Sequence, residues 1–140
     1  LNVYLDSSVL LRWLLNSSKA YSGFQNWRIC YTSELIYIEV NRVLNRLRLE
    51  KEIDDLEYAI LHKTFLEFYD SIYIIEINQA IKKKSAEPFP TIIGTLDAIH
   101  LASALLLKEE NKKLEIIFLT HDNQLSIAAT AVGFEVIGIN

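Results

Sequence analysis

The sequence predicts an α/β fold with a mainly parallel central sheet. Two observations carry this. Short runs rich in β-branched and aromatic residues alternate along the chain with longer stretches of helical periodicity. Strands separated by helices pair in parallel, because each crossover returns the chain to the same end of the sheet. The chain also has material for a sizeable core: 140 residues, 51% of them hydrophobic, expected to form one domain over residues 1–140.

Taken in order, Val3–Leu5 is a short buried strand, followed by Asp6, Ser7 and Ser8. Ser8–Leu15 is the first helix, which Asp6 or Ser7 is placed to cap. Asn16–Ser18 ends it, and Tyr21–Trp27 is expected as a short helix despite Gly23. Ile29–Tyr31 is the second strand. Its Cys30 is the single cysteine, so no internal disulfide forms, and a buried structural thiol is expected. Thr32 and Ser33 sit where an N-cap belongs. In the next helix, Ser33–Leu49, Ile36, Val40, Val43, Leu44 and Leu47 fall on one arc. Glu39 lies about 60° from Ile36 and borders that arc.

Glu50–Asp55 is a charged connector. Asp54 or Asp55 can cap a helix reaching Tyr69, with Leu56, Ala59, Ile60, Lys63, Phe65 and Leu66 as packing candidates. Ser71–Ile77 is the third strand, so a helix pair interrupts the simple βαβ pattern here. Gln79–Ala86 is helical, with Lys82, Lys83 and Lys84 expected on a solvated face. Glu87–Thr95 holds both prolines and reads as a loop or lid. Leu96–Lys108 is apolar around most of its circumference and is therefore a buried helix, with Asp97 in its first turn. After the polar break Glu109–Lys113 comes the fourth strand, Ile116–Leu119, ending in Thr120, His121 and Asp122. Asn123–Val132 is helical with Gly133 as its C-cap, and Glu135–Ile139 is the last strand.

An apolar composition of this kind excludes a disordered chain. No apolar run reaches the about 18 residues of a membrane-spanning helix, and no basic stretch precedes the N-terminal apolar run, so neither membrane insertion nor a signal peptide is expected. The chain contains no methionine, so its initiating residue is expected to be missing or altered. Cysteine usage suits a reducing cytoplasm. The net charge is −4, whereas proteins that hold nucleic acid through phosphate contacts alone are usually basic. Either the partner is not a polyanion, or the acids are concentrated where cations bind them.

The second possibility has a specific form. Asp6 and Asp122 both follow a short apolar strand, and in an open α/β sheet ligands collect beyond the carboxyl ends of the strands. If the two strands are parallel neighbours, both acids reach one edge of the sheet. Asp97 begins a buried helix and Glu39 borders a core-facing stripe, so four carboxylates can converge. Such a set repels itself unless a cation neutralises it, and carboxylates with water are the ligands that Mg²⁺ and Mn²⁺ prefer. Each acid also has an ordinary structural role open to it. Asp6 and Asp122 can cap helices, Asp97 can oppose a helix dipole, and Glu39 can pair with Arg42 or Arg46. His100 reads as a satisfied structural histidine and His121 as an exposed one.

The motifs also resemble a known family. Asp6-Ser7-Ser8 after a strand resembles the first motif of PIN-domain ribonucleases, and Thr32-Ser33 with Glu39 resembles the second. Thr95-Leu96-Asp97-Ala98-Ile99-His100-Leu101-Ala102-Ser103-Ala104 resembles the third as it stands in VapC-type toxins; it is the most specific of the set. Leu119-Thr120-His121-Asp122-Asn123-Gln124-Leu125 resembles the fourth. The resemblance covers almost the whole chain in order. It implies a three-layer α/β/α sandwich and cleavage of RNA dependent on Mg²⁺ or Mn²⁺. Asp6, Glu39, Asp97 and Asp122 would form the acidic quartet, supported by Ser8 and Thr120. It further implies a toxin held by a cognate antitoxin, and a homodimer. An arginine of that antitoxin would suit the acids, and the apolar stretches Leu10–Leu15 and Tyr21–Trp27 would offer its helix a groove. The chain departs from the family in its acidic balance and in Gly94, where many relatives carry a basic residue.

Two other readings compete. One is a PIN-like module that binds RNA or protein without cutting. The other is an acid-pocket α/β domain of the phosphoryl-accepting receiver kind, which would want a lysine at a late strand end; none stands there.

Overall fold

A computed structural model of the chain describes residues 1–139. Asn140, the last residue of the expected domain, lies outside the described residues. Strands β1 (Asn2–Leu5), β2 (Ile29–Ser33), β3 (Tyr73–Ile75), β4 (Ile117–Leu119) and β5 (Val136–Ile137) form one sheet in the order β3-β2-β1-β4-β5. Every neighbouring pair is parallel. The crossovers are carried by α1 (Ser7–Leu14), α2 (Leu35–Leu49), α3 (Asp55–Asp70), α4 (Gln79–Ser85), α5 (Thr95–Glu110) and α6 (Asn123–Ala131). The chain leaves β1 towards β2 and β3, then crosses back to add β4 and β5 on the other side. The reversal falls between β1 and β4, which are in register from Val3–Ile117 to Leu5–Leu119. Crevices form at such reversals because the flanking connections diverge to opposite faces.

Alternation along the strands builds the two flanking layers. Val3 and Leu5 face one side, where they pack with Val9, Leu10, Ile36, Val40, Phe65 and Phe68 of α1, α2 and α3. Tyr4 faces the other, where it packs with Phe118, Leu101 and Ala104 of α5 and Leu125 and Ala128 of α6. The result is a three-layer α/β/α sandwich. Among the described residues, no helix is long and apolar enough to cross a membrane.

Several sequence expectations change, among them that for Thr32 and Ser33, which end β2 while Glu34 takes the N-cap position of α2. Tyr21–Trp27 forms turns rather than a helix, with Gln25 at φ 69°. Its aromatic residues are not a free groove: Phe24 stacks on Trp13 at 4.4 Å and meets Phe68 at 5.2 Å. In α3, Leu56, Ala59, Ile60 and Lys63 are exposed, and the inward face is Tyr58, Leu61, Phe65 and Phe68. Two overlapping apolar stripes exist on this helix, and the one bearing the larger aromatic rings wins the core. Its start is set by Asp54, which makes a reciprocal capping box with Glu57. The third strand shrinks to Tyr73–Ile75 and the last to Val136–Ile137.

Gly133 follows α6 at φ 100°, as a C-cap glycine does. Gly138 lies just beyond β5 at φ 101°, where any Cβ would collide with the Thr120 carbonyl oxygen. Gly138→Ala is therefore expected to lower unfolding stability by about 1–3 kcal/mol, measured by urea denaturation. Wild-type stability in that variant would mean that β5 moves away from β4 without cost.

Candidate active site

Asp6 leaves β1 in the extended conformation of an N-cap residue, yet it does not cap α1. Its carboxylate turns instead to the neighbouring strand end. Oδ2 accepts from Thr120 Oγ1 at 2.8 Å, and Oδ1 accepts from Ser8 Oγ at 2.6 Å. The same two hydroxyls extend the network. Thr120 Oγ1 accepts from the Asp122 N–H at 3.0 Å, and Ser8 Oγ accepts from the His121 N–H at 3.0 Å. The β1–β4 register makes this possible by setting Leu5 beside Leu119, one residue before each polar group. Asp6 is only 4% exposed. Burial pushes its carboxyl up, opposed by His100 and by the Ser8 and Thr120 hydroxyls, with Glu39 adding to the rise.

Glu39 pairs with neither Arg42 nor Arg46. Its Oε1 meets His100 Nε2 at 2.6 Å, and its Oε2 accepts from Ser7 Oγ at 3.1 Å. His100 is buried, and its Nδ1 lies 2.8 Å from the Tyr4 hydroxyl. The tautomer that satisfies all three groups has Nε2–H donated to Glu39 and the Tyr4 O–H donated to Nδ1. The histidine is thus the satisfied structural residue expected, but it also holds one of the four acids. His100→Ala strands the Tyr4 hydroxyl and strips Glu39 of a donor, so a stability loss of about 1–3 kcal/mol is expected, read from thermal or urea unfolding.

Asp122 realises its structural role: it is the N-cap of α6, and its Oδ1 accepts from the Leu125 N–H at 3.0 Å. Its second carboxylate oxygen has no partner among the described residues. His121 is half-buried rather than exposed, donating Nδ1–H to the Gly138 carbonyl at 2.7 Å.

Asp97 stands in the first turn of α5 without capping it. Its carboxyl is pushed up from 3.8 to about 6, first by burial, then by the charges of Asp122 and Asp6; His100 lowers it and Glu39 raises it. All three other acids therefore act on it. The sign of the linkage follows. A proton bound more tightly in the folded than in the unfolded state stabilises at low pH, and that stability is lost as pH rises from about 4 through about 6. In EDTA, the melting temperature of Asp97→Asn should depend less on pH across this window than that of the wild type. Identical pH profiles would show that Asp97 titrates normally.

The four acids thus share one electrostatic environment at the carboxyl ends of β1 and β4. Three are anchored by hydrogen bonds. Among the described residues, no three His, Cys, Asp or Glu side chains close into a metal-ligand cluster. The donor set itself fits a hard divalent cation: carboxylate oxygens that repel one another, with Asp97 unanchored. Mg²⁺ characteristically takes one or two protein carboxylates and keeps several waters. The sequence reading missed Ser7 as the donor to Glu39 and Tyr4 as the support of His100. Neighbouring helix positions diverge by about 100°, which is why Ser7 and Ser8 serve different acids; their adjacency was the available signal.

The PIN domain family model matches residues 3–131. The chain is similar in structure to a toxin–antitoxin complex from Klebsiella pneumoniae, at 17% identity and a TM-score of 0.65, over 96% of this chain and 95% of that one. It is also similar to VapBC2 from Rickettsia felis bound to a DNA fragment from their promoter, at 11% identity and a TM-score of 0.65, over 98% of each chain. No curated protein matches.

Proposed function

This chain belongs to the PIN domain family, and from that premise we propose that it is a metal-dependent endoribonuclease and a toxin of the VapC type. The observation that carries the reading is that Asp97, pushed up to about 6 first by burial, is raised further by the charges of Asp122, Asp6 and Glu39, so the four acids act on one another near the β1–β4 switch. Asp6, Glu39, Asp97 and Asp122 would hold Mg²⁺ or Mn²⁺. When bound, the cation supplies charge neutralisation and Lewis-acid polarisation of the phosphodiester. The chain's own residues supply orientation. Ser8 and Thr120 hold the Asp6 carboxylate, and Ser7 and His100 hold that of Glu39. In the reaction, water oxygen bonds to phosphorus, the bond to the leaving sugar oxygen breaks, and that oxygen takes up a proton.

The proposal includes a cognate antitoxin, a homodimer and action in the cytoplasm; the toxin–antitoxin description of a structural neighbour supports the first. An arginine presented by the antitoxin would neutralise the acids by a bidentate fork. A second reading, a PIN-like module that binds RNA or protein without cutting, draws on the lack of a closed three-ligand cluster among the described residues.

Two measurements separate them. The nuclease should cut single-stranded RNA in Mn²⁺ or Mg²⁺ and not in EDTA. Mn²⁺ should also raise the melting temperature, since a ligand at 100 times its Kd stabilises by about 2.7 kcal/mol. Asp6→Asn combined with Asp97→Asn should abolish most of that rise; an undiminished rise would place the metal elsewhere.

A further inference from the structure

A cavity of about 670 Å³ opens beside the acids, between α4, the loop 86–94 and the first turn of α5. We infer that it receives one nucleotide of the RNA, its base against Phe89 and its phosphate towards Lys82. This rests on the nuclease reading and adds to it a place where the substrate is held apart from the metal.

Volume, chemistry and position argue for this occupant. The cavity falls within the about 300–1,000 Å³ of small-ligand sites. Its walls combine an aromatic ring, Phe89, and the aliphatic Ile93 and Ile99 with the amides of Asn78 and Gln79. A flat heterocycle with polar edges matches that mixture. Unpaired bases are recognised by stacking on aromatic rings and by hydrogen bonds to their edges. Lys82 is the one cation among the lining residues, and the acid on the rim, Glu87, is already paired with Lys84 at 3.5 Å. Lys82 therefore offers the cavity a cation in a protein of net charge −4, and beside the aromatic wall it suits an anion carried on a flat ring.

The cavity also borders the helix start that carries Asp97. Gly94, Thr95 and Ala98 line it and lie within one helical turn, about 5.4 Å of rise, of Asp97. Its loop wall is tied to the fourth acid's helix, because Gln124 Nε2 donates to the Ile92 carbonyl at 2.9 Å. A Cβ built on Gly94 would meet nothing within 4 Å, so the chain leaves open space at the point where the cavity wall meets the start of α5.

The test uses the full chain in EDTA, with 5′-AMP, 5′-CMP, 5′-GMP and 5′-UMP added separately and followed by amide chemical shifts. At least one nucleotide should perturb residues of the cavity. Phe89→Ala should weaken its binding about tenfold. The exposed Lys82→Ala, which leaves the core untouched, should weaken binding of the nucleotide but not of its nucleoside. Failure of all four nucleotides to shift cavity residues overturns the inference. So does binding that ignores both substitutions, or a change of oligomeric state on Phe89→Ala with nucleotide binding intact, which would assign the cavity to a protein contact. RNA cleavage is scored separately. A chain that cuts RNA but fails this test keeps the nuclease reading and loses the cavity; one that binds nucleotide here but never cuts keeps the cavity and loses the nuclease.

Discussion

Asp97→Asn is expected to reduce metal-dependent RNA cleavage on the order of 10²–10³-fold, the scale of losing one electrostatic group that stabilises a transition state. The fold should survive. Asp97 caps nothing in α5 and accepts no hydrogen bond among the described residues, so no structural contact is removed. Its carboxyl is pushed up to about 6 by burial and by its acidic neighbours. Neutralising it relieves repulsion in the metal-free protein, and urea denaturation in EDTA should show stability equal to or above wild type. Gel-resolved cleavage of an RNA oligomer in Mn²⁺ gives the rate. A rate within a few-fold of wild type would remove Asp97 from the machinery. A stability loss of several kcal/mol would instead make it a structural residue of the helix start, and the rate loss would then be a folding defect.

Phe118→Ala should cause the largest loss of stability, about 3–5 kcal/mol. Phe118 is fully buried at the middle of β4. It stacks on Tyr4 at 5.4 Å and meets Phe134 at 5.6 Å, joining the sheet to the α5–α6 layer. Domains of this size are stable by roughly 5–15 kcal/mol, so the variant gives up a large share, and its melting temperature should fall by about 10 °C. Phe118→Leu keeps most of the volume and should cost less than about 1.5 kcal/mol. The effect should also reach the acids. Tyr4 supports His100, and His100 holds Glu39, so the alanine variant should bind Mn²⁺ more weakly even below its melting transition. Equal stabilities of the alanine and leucine variants would show that the layer repacks around the void.

Much of this molecule is legible from its residues taken locally. The strand-then-acid pattern at Leu5–Asp6 and Leu119–Asp122 places two carboxylates at strand ends, and the α2 stripe from Ile36 to Leu47 has a single apolar phase, so its orientation follows from periodicity. The motifs around Asp6, Glu39, Asp97 and Asp122 were sufficient to identify the family, because they survive in order along the chain. Where two local solutions are equally good, sequence does not choose. The α3 stripe that bears Phe68 turns inward because Phe68 meets Trp13 and Phe24, and those two rings come from another part of the chain.

The same division runs through the site. That Asp6 and Asp122 both occupy helix N-cap positions is a local property; that Asp122 caps and Asp6 does not is tertiary. The β1–β4 register brings Thr120 to Asp6 across 114 positions, and that hydroxyl competes successfully with the helix end. Glu39 has arginines close by in sequence, yet it takes His100, 61 positions away, because the packing of α5 against the sheet buries that imidazole beside it. Propensity and periodicity depend on neighbours within a few residues, so the chain alone determines the elements and the chemical types at their ends. Which polar group satisfies which depends on strand register and helix rotation, and those are settled only when the two cores close on the sheet.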